Sequence, residues 1–398
     1  MYASSEEGRE MTKRPSRQRR RWRRASIAVL AVAAVSVSLS ACASNSPASS
    51  TGTGTGGTST GGSSTGATTA PSSVSFGLGG GYLDVFMPYL IADGAGYFNQ
   101  VATQFHTTIN TVTYPDAAIA YPAFFAGSVQ GLVTGISQML SAKAAGQDIS
   151  AVVNENDSLG TIVGAAEKYK SSKGTNLAAF NGATWCTTSI ASTATTAMQF
   201  AAIAAGLDWS NQHVVALGSV SAFLPALQTG RCDVEGWDPT TAGKALSSDA
   251  GYIVDNLYST GSIAKSGLYV AFPMMMSNAF ITKYHALSVA IVAAMIKGLL
   301  TTQQYVNDPT KLYSLTPSEY RSSNTYAQFL ASWNLVKGSY LVTDGEFTNT
   351  ERANTIHYGQ VGGALTQGQT VNGDEAFANT LVQEAYSLLG KTPHVPSV

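Results

Sequence analysis

A tract rich in Ser, Thr and Gly limits which part of this chain can fold. It follows Cys42 and runs to about residue 73, with few apolar side chains. Burial therefore cannot offset the entropy lost on ordering. We expect a disordered tether over residues 42–73, with an r.m.s. span of roughly 30 Å. The residues after it, 74–398, are numerous enough to form a large hydrophobic core.

The segment before the tether has the layout of an export signal. The first 24 residues hold nine of the 23 Lys and Arg, and an apolar run follows up to Ala41. That run is shorter than the roughly 20 residues that a permanent membrane span needs. Leu39-Ser40-Ala41-Cys42 resembles a bacterial lipobox. We therefore expect residues 1–41 to be a signal peptide and Cys42 to carry a lipid. The alternative is a secretory signal that ends by chance at a Cys.

Charge and cysteine content argue against three classes of protein. The first 24 residues hold only three of the 24 Asp and Glu, so the rest of the chain has a net charge of −7. A nucleic-acid binder needs a basic surface on its folded part, and this one is acidic. Three Cys in 398 residues exclude a disulfide-dense scaffold and a Cys-rich zinc module.

Strand-like and helix-like patterns alternate along residues 74–398. Predicted strands cover residues 74–78, 109–114, 149–154, 161–165, 183–188, 213–217 and 232–236. Predicted helices cover residues 85–95, 117–126, 194–205, 222–227, 289–306, 325–335 and 374–389. This alternation predicts an α/β fold with parallel sheets.

Signals for catalysis are sparse. The five His residues form no H-E-x-x-H motif and no pair with a carboxylate at metal-ligand spacing, and no phosphate-binding P-loop occurs. Cys186 and Cys232 have no His nearby in the sequence. In an exported protein we expect these two to form a disulfide, the alternative being two buried free thiols. We expect no enzyme activity, no metal and no cofactor.

Residues 185–196 predict a strand, a turn rich in Ser and Thr, and then a helix. Free N–H groups at a helix start, surrounded by hydroxyls, form a site for a small anion. The alternative is an ordinary helix cap supplied by Ser192 or Thr193.

Four segments resemble a known family when they are taken in order. Residues 88–98 match a P-x-x-x-A…G-Y-F opening, and residues 125–129 match an x-x-G-x-V-D segment except that Gln130 replaces the Asp. Residues 177–208 are similar to an L-x-G-K…G-S…G-L-D stretch, although Asn181-Gly182-Ala183 lacks its Lys. Residues 225–233 resemble A-A-L-x-x-G-x-V-D-A. These are segments of extracytoplasmic solute-binding proteins of ABC transporters, of the nitrate, sulfonate and taurine type. The likeness covers residues 74–310, and the segment after Ser314 matches nothing in it.

The resemblance implies an α/β, two-lobe periplasmic-binding-protein-like fold of type II, with the ligand held between lobes joined by a hinge. Lobe 1 would comprise residues 74–165 and 277–398, and lobe 2 residues 166–276. Hinge closure on the ligand would signal loading to a permease.

The resemblance also implies a set of ligand-binding residues at the cleft. They are Tyr82, Leu83, Asp84 and Ser137 in lobe 1, and Ser189, Ser192, Thr193, Trp237 and Asp238 in lobe 2. The three hydroxyl residues of lobe 2 would donate to an anionic head group, and Tyr82 and Trp237 would pack on the ligand body. Asp84, Glu235 or Asp238 could receive an amine. The alternatives are inter-lobe packing for Trp237 and, for Asp84, a helix N-terminal carboxylate favoured by the helix dipole.

The function expected from these features is that of a lipid-anchored receptor on the outer face of a bacterial cell membrane. It would capture a small organic anion, similar to a sulfonate or taurine, and deliver it to the membrane subunits of an ABC permease. One alternative ligand is a neutral or cationic nitrogen compound, such as a pyrimidine precursor of thiamine. The same scaffold could also serve a surface sensor, an adhesion protein or an enzyme, because a fold does not fix a function.

Overall fold

The computed structural model describes residues 69–395, which contain two mixed sheets and surrounding helices. The predicted signal peptide, Cys42 and nearly all of the predicted tether lie outside the described residues. The strands are β1 Ser73–Gly79, β2 Thr108–Tyr114, β3 Gly131–Val133, β4 Ile149–Asn154, β5 Ile162–Ala166, β6 Thr184–Thr187, β7 His213–Ala216, β8 Val234–Trp237, β9 Gly251–Asn256 and β10 Pro273–Ser277.

The helices of the described residues surround both sheets. They are α1 Met87–Gly94, α2 Tyr97–Phe105, α3 Ala117–Phe125, α4 Ile136–Ala144, α5 Lys170–Lys173, α6 Thr193–Ala204, α7 Phe223–Gln228, α8 Pro239–Ser247, α9 Thr260–Ser266, α10 Asn278–Lys283, α11 His285–Gln304, α12 Pro309–Leu315, α13 Ser318–Ser323, α14 Tyr326–Val336, α15 Asn349–Val361, α16 Gly373–Ala376 and α17 Asn379–Leu388.

Each sheet has five strands, and each contains one strand that is antiparallel to its neighbours. The first sheet has the order β2-β1-β3-β10-β4, in which β10 is antiparallel to both neighbours. The second has the order β7-β6-β8-β5-β9, in which β5 is antiparallel to both neighbours. The expectation of parallel sheets is therefore wrong for these two strands. Both follow a passage of the chain from one sheet to the other, and they enter the new sheet from its opposite end.

The two sheets define two lobes, and the strands that follow each passage between them can be compared with the predicted boundaries. Strand β5 begins at Ile162 and pairs within the second sheet, whereas the sequence places residues up to 165 in lobe 1. Strand β10 begins at Pro273 and pairs within the first sheet, whereas the sequence begins that part of lobe 1 at residue 277. The chain passes between the sheets at residues 155–161 and 257–272.

The C-terminal helices join the two lobes as well as completing lobe 1. Helix α11 packs against α1, α2 and α17 of lobe 1. By length and composition α11 could cross a membrane, but most of it is buried inside the fold. Helix α14 lies against α8 of lobe 2, where a Cβ added to Gly243 would lie 2.5 Å from the carbonyl oxygen of Gln328. The backbones of the two helices are therefore in close contact.

A disulfide bond joins Cys186 to Cys232 within lobe 2. Cys186 lies in β6, and Cys232 lies just before β8, the strand that pairs with β6. Both residues are fully buried and form a small cluster with Ala226. The bond therefore links neighbouring strands of the second sheet and does not reach the other lobe.

Candidate functional site

A cavity of about 60 Å³ lies between the lobes. Lobe 1 contributes Leu83 and Gln138 to its wall, and lobe 2 contributes Thr193 and Asp238. Phe272, in one of the passages between the sheets, closes a further side. The space has room for a few water molecules or one small chemical group.

Four helices begin at this cavity, and they differ in the charge of their caps. Asp116 caps α3 and accepts a hydrogen bond from the backbone N–H of Ala118 at 2.7 Å. Asp238 caps α8 and accepts from the backbone N–H and the hydroxyl of Thr241, at 3.0 Å and 2.5 Å. Ser192 caps α6 without charge, and Gly135 precedes α4 without any side-chain cap. A helix N-terminus carries partial positive charge, so the α4 and α6 side of the cavity is the electropositive side.

The starts of α4 and α6 touch each other across the cleft. The Thr193 hydroxyl lies 3.1 Å from the backbone nitrogen of Ser137 and 3.2 Å from its hydroxyl. A Cβ added to Gly135 would lie 2.5 Å from Thr193 Oγ1, so a glycine is needed for this close approach. The structure therefore holds the cleft closed, with Ser137 and Thr193, two of the predicted site residues, in direct contact.

Gln138 is part of the cavity wall and has an unsatisfied side-chain amide. Its Nε2 and Oε1 atoms are both buried, and neither has a hydrogen-bond partner among residues 69–395. A buried polar group without a partner costs roughly 1–3 kcal/mol of stability. Sequence reasoning missed this residue, because a Gln in the first turn of a helix carries no signal of its own until a second lobe closes over it.

The remaining hydroxyl residues predicted in lobe 2 lie at the turn before α6. Ser192 lines the cavity and accepts from the backbone N–H of Thr195 at 3.2 Å. The Ser189 hydroxyl is buried and has no partner among the described residues, but Ser189 is not part of the cavity wall. Ser192 therefore caps α6, and its place in the cavity wall is also compatible with the predicted ligand contact.

The structure gives Tyr82 and Leu83 different positions. Leu83 lines the cavity, whereas Tyr82 lies in an outer groove beside it. Successive residues of an extended segment point in different directions, so a role for one does not extend to the next.

Asp84 is not at the cavity. Its carboxylate is fully buried and accepts hydrogen bonds from the hydroxyls of Tyr320 and Ser332. Its backbone N–H donates to the Thr240 hydroxyl at 2.8 Å, and its carbonyl accepts from the Tyr340 hydroxyl. Burial raises the pKa of Asp84 to about 6, against the lowering effect of the two hydroxyls. The carboxylate thus connects the C-terminal segment to the rest of the fold, and the structure does not offer it to a ligand amine.

Trp237 and Glu235 also point away from the cavity. Gly236, between them on β8, lines the cavity, so strand alternation turns its neighbours to the other face of the sheet. There the Trp237 ring packs against Gly164, and its Nε1 donates to Glu235 Oε2 at 2.6 Å. Burial raises the pKa of Glu235 to about 8. The Trp237 side chain therefore packs inside lobe 2. The sequence analysis expected it either to contact the ligand or to pack between the lobes.

The charged side chains that line the cavity are the two acidic helix caps, Asp116 and Asp238. Within residues 69–395, no group of three or more His, Cys, Asp and Glu is placed to hold a metal ion.

Solved structures of other proteins share this architecture at low sequence identity. A protein of Bordetella bronchiseptica RB50 matches with a TM-score of 0.68 and 18% identity, over 81% of this chain and 99% of that one. The periplasmic nitrate-binding protein NrtA from Synechocystis PCC 6803 matches with a TM-score of 0.66 and 13% identity, over 80% and 89%. The alkanesulfonate-binding protein SsuA from Xanthomonas axonopodis pv. citri, bound to MOPS, matches with a TM-score of 0.54 and 15% identity, over 66% and 84%.

Neither a protein-family model nor a curated protein sequence matches this chain. At these identities, the likeness to solved structures concerns the fold. Two mixed five-stranded sheets, two passages between them and a cavity where the lobes meet are present in residues 69–395. This chain therefore has the two-lobe α/β fold of periplasmic binding proteins.

Proposed function

We propose that this protein is an extracytoplasmic receptor that captures a small organic anion between its lobes and delivers it to an ABC permease. The unpartnered amide of Gln138, in a cavity between the starts of α4 and α6, is the observation that carries the proposal. An anionic group placed there would accept from the amide Nε2 and from the free N–H groups of the helix starts. The fold supports transport as the setting, because its neighbours include nitrate-binding and alkanesulfonate-binding proteins.

The two acidic residues of the cavity are compatible with an anion. Asp116 and Asp238 each accept a hydrogen bond from the first turn of the helix that they cap. Their negative charge is therefore partly balanced by the α3 and α8 dipoles. The starts of α4 and α6 have no such charge beside them, and Ser192 of the cavity wall adds a hydroxyl. We place the anionic group at this end of the cavity.

A nitrogen compound, neutral or cationic, is the second candidate ligand. The charged side chains lining the cavity are both acidic, and the Gln138 amide can also accept a hydrogen bond through Oε1. A ligand with adjacent donors and acceptors, such as a pyrimidine, would satisfy both amide atoms. In this case the main ligand contacts are expected at Asp116 and Asp238 and not at the helix starts.

We further propose that the receptor is anchored to the membrane through a lipid on Cys42 and a tether over residues 42–73. The support is the order of the basic cluster, the apolar run, Leu39-Ser40-Ala41 and Cys42 in the sequence. A span of roughly 30 Å would keep the folded part close to a permease in the same membrane. Mass spectrometry of the protein purified from a bacterial membrane tests the anchor, since the mature chain should begin at Cys42 and carry acyl chains.

Thermal unfolding across a panel of solutes tests the binding function. The panel contains alkanesulfonates, taurine, nitrate, bicarbonate, aromatic acids, pyrimidines and polyamines. A ligand present at about 100 times its Kd should stabilise the fold by roughly 2.7 kcal/mol and raise the Tm. A rise with a sulfonate, nitrate or carboxylate supports the anion site, and a rise only with nitrogen bases supports the second candidate. No rise with any member would contradict the receptor function as stated.

A further inference from the structure

A second space lies directly outside the cavity. It is a groove of about 550 Å³, which shares Gly80, Leu83 and Val220 with the cavity wall. Lobe 2 and the loop after β1 line most of it, and Ser323 and Asn324 of the C-terminal segment complete it. The groove is therefore much larger than the cavity and borders it at three residues.

A thin apolar partition separates the two spaces. A Cβ added to Gly80 would lie 2.8 Å from Leu83 Cδ1 and 3.5 Å from Val220 Cγ2. Leu83 belongs to lobe 1 and Val220 to lobe 2, so the partition is made by one side chain from each lobe. When the lobes separate, these side chains move apart and the two spaces become one.

The groove has an amphipathic wall with a single charge. Tyr82, Leu224 and Pro225 provide apolar surface, and Lys244 of α8 is the one charged residue among its lining residues. Lys244 is half-buried, and within the part of the chain that the structure describes its ammonium group makes no ion pair within 4.0 Å and no hydrogen bond. A partly desolvated ammonium group without a partner favours an anionic group of a ligand.

The buried carbonyl oxygen of the Asn324 side chain gives independent support for a ligand in the groove. Its Oδ1 atom has no hydrogen-bond partner among residues 69–395, and Asn324 is 2% exposed. Its Nδ2 atom donates to the carbonyl of Tyr320 at 3.2 Å, which fixes the orientation of the amide. An unsatisfied buried acceptor in the groove wall would be satisfied by a donor on the ligand body, such as a hydroxyl or an amide N–H.

We propose that the solute is a bipartite, doubly anionic compound. A small anionic head fills the cavity, a body that carries a hydroxyl or amide N–H donor for Asn324 passes between Leu83 and Val220, and a distal carboxylate pairs with Lys244 in the groove. This inference rests on the proposed function and names the substrate class of the same site. It also gives the C-terminal segment a role, since Asn324 forms part of the wall that a short monoanion would not reach.

Matched pairs of ligands test the inference on the whole protein by titration calorimetry. Butane-1-sulfonate is compared with 4-sulfobutanoate, and hexane-1-sulfonate with 6-sulfohexanoate, so that each pair differs at the distal group. We expect the carboxylated member of at least one pair to bind roughly tenfold tighter, a difference of about 1.4 kcal/mol. Lys244→Met should remove that difference and leave the affinity for the alkanesulfonate unchanged.

Two control variants separate charge from fold. Lys244→Arg keeps the positive charge and should retain most of the preference, and Lys311→Met removes an exposed Lys of α12 that is outside the groove and should retain all of it. Equal affinity within both pairs, or an equal loss for both members in Lys244→Met, overturns the inference while leaving the receptor function intact. No binding by any of the four compounds contradicts the anion site and the inference together.

Discussion

The hydroxyl of Thr193 lies 3.1 Å from the backbone nitrogen of Ser137, and this contact joins the start of α6 in lobe 2 to the start of α4 in lobe 1. The same hydroxyl lies 3.2 Å from Ser137 Oγ. The two lobes therefore meet at the residues that border the cavity, and a change in their separation changes the cavity directly. In a two-state receptor, a ligand that binds only the closed state shifts the population toward it.

The close approach of Gly135 to Thr193 predicts that a larger residue at position 135 prevents the two lobes from closing. Gly135 has φ −59° and ψ 140°, which alanine adopts without strain, but its added Cβ would lie 2.5 Å from Thr193 Oγ1. We expect Gly135→Ala to leave the Tm of the free protein nearly unchanged and to weaken binding of the best panel solute roughly tenfold, about 1.4 kcal/mol. Small-angle X-ray scattering should show that the ligand no longer compacts the variant. The double variant Gly135→Ala/Thr193→Ala should restore binding, and wild-type affinity in the single variant would refute the proposed contact.

The unpartnered amide of Gln138 predicts opposite effects on stability and binding at one residue. In Gln138→Leu the unsatisfied buried polar atoms disappear, so we expect the free protein to be as stable as the wild type or more stable. Binding should fall by roughly tenfold to a hundredfold, because a hydrogen bond to a charged group contributes about 1.5–3 kcal/mol. Thermal unfolding with and without the solute measures both.

Gln130 is the matched control for that change. Its Oε1 accepts from the Ser75 backbone N–H at 2.8 Å, and its Nε2 donates to the Gly127 carbonyl at 3.1 Å. Gln130→Leu should therefore lower the Tm and leave the solute affinity unchanged. A Gln138→Leu variant that behaves in the same way as Gln130→Leu would show that Gln138 has only a structural role.

The disulfide of lobe 2 predicts a loss of stability on reduction. Cys186 and Cys232 are 46 residues apart in the chain, so the bond restricts a loop of that length in the unfolded state. The chain-entropy model gives roughly 4 kcal/mol for a loop of this size. We expect the double variant Cys186→Ala/Cys232→Ala to unfold at a lower denaturant concentration. Its free energy of unfolding should be smaller than that of the wild type by roughly 4 kcal/mol. Dithiothreitol should destabilise the wild type and leave the double variant unaffected, and equal sensitivity of both would contradict the bond.

The buried Glu235 predicts a pH dependence of stability. Its pKa rises from an ordinary value of 4.5 to about 8 because burial disfavours the charged carboxylate. Between these two pH values the unfolded chain releases the proton while the folded chain keeps it, so stability falls as pH rises through the window. Glu235→Gln removes this titration, and its free energy of unfolding should fall less than that of the wild type from pH 5 to pH 8, by an amount on the order of a few kcal/mol. Glu375→Gln, at an exposed position, should keep the wild-type slope.

Elements with a strong local pattern can be predicted from the sequence, and short or irregular ones cannot. The sequence predicts helices over residues 117–126 and 194–205, and the structure has α3 and α6 within a residue of those bounds. Strand β3 spans only Gly131–Val133, and β10 begins with a Pro and continues with three Met, so neither shows a period that marks a strand. Both lie in the middle of the first sheet, where pairing on two sides stabilises them. That pairing depends on residues that are distant in the chain.

The residues of the site also fall into those that the sequence predicts and those that it does not. The sequence predicts Leu83, Ser137, Ser192, Thr193 and Asp238 as site residues, and the structure brings them together at or beside the cavity. Asp84 and Trp237 are adjacent in sequence to cavity residues, yet the fold directs them elsewhere. Asp84 receives the hydroxyls of Tyr320 and Ser332, from a segment whose sequence shows no sign of contact with the cleft. The partner of a buried carboxylate is set by packing across more than 200 residues, which local patterns do not encode.

The sequence alone determined the strands and helices that have a strong local pattern, the resemblance to a two-lobe fold and the Ser/Thr-rich start of α6, because apolar periodicity, glycine stops and hydroxyl caps act over a few neighbouring residues. Only the tertiary structure decided which side chains share the cavity. Gln138 becomes an unsatisfied group when α6 closes over α4, and Lys244 and Asn324 come to line the same groove when α14 packs on α8. These relationships depend on how one lobe is placed against the other, and that placement comes from burial of surfaces that are far apart in the chain.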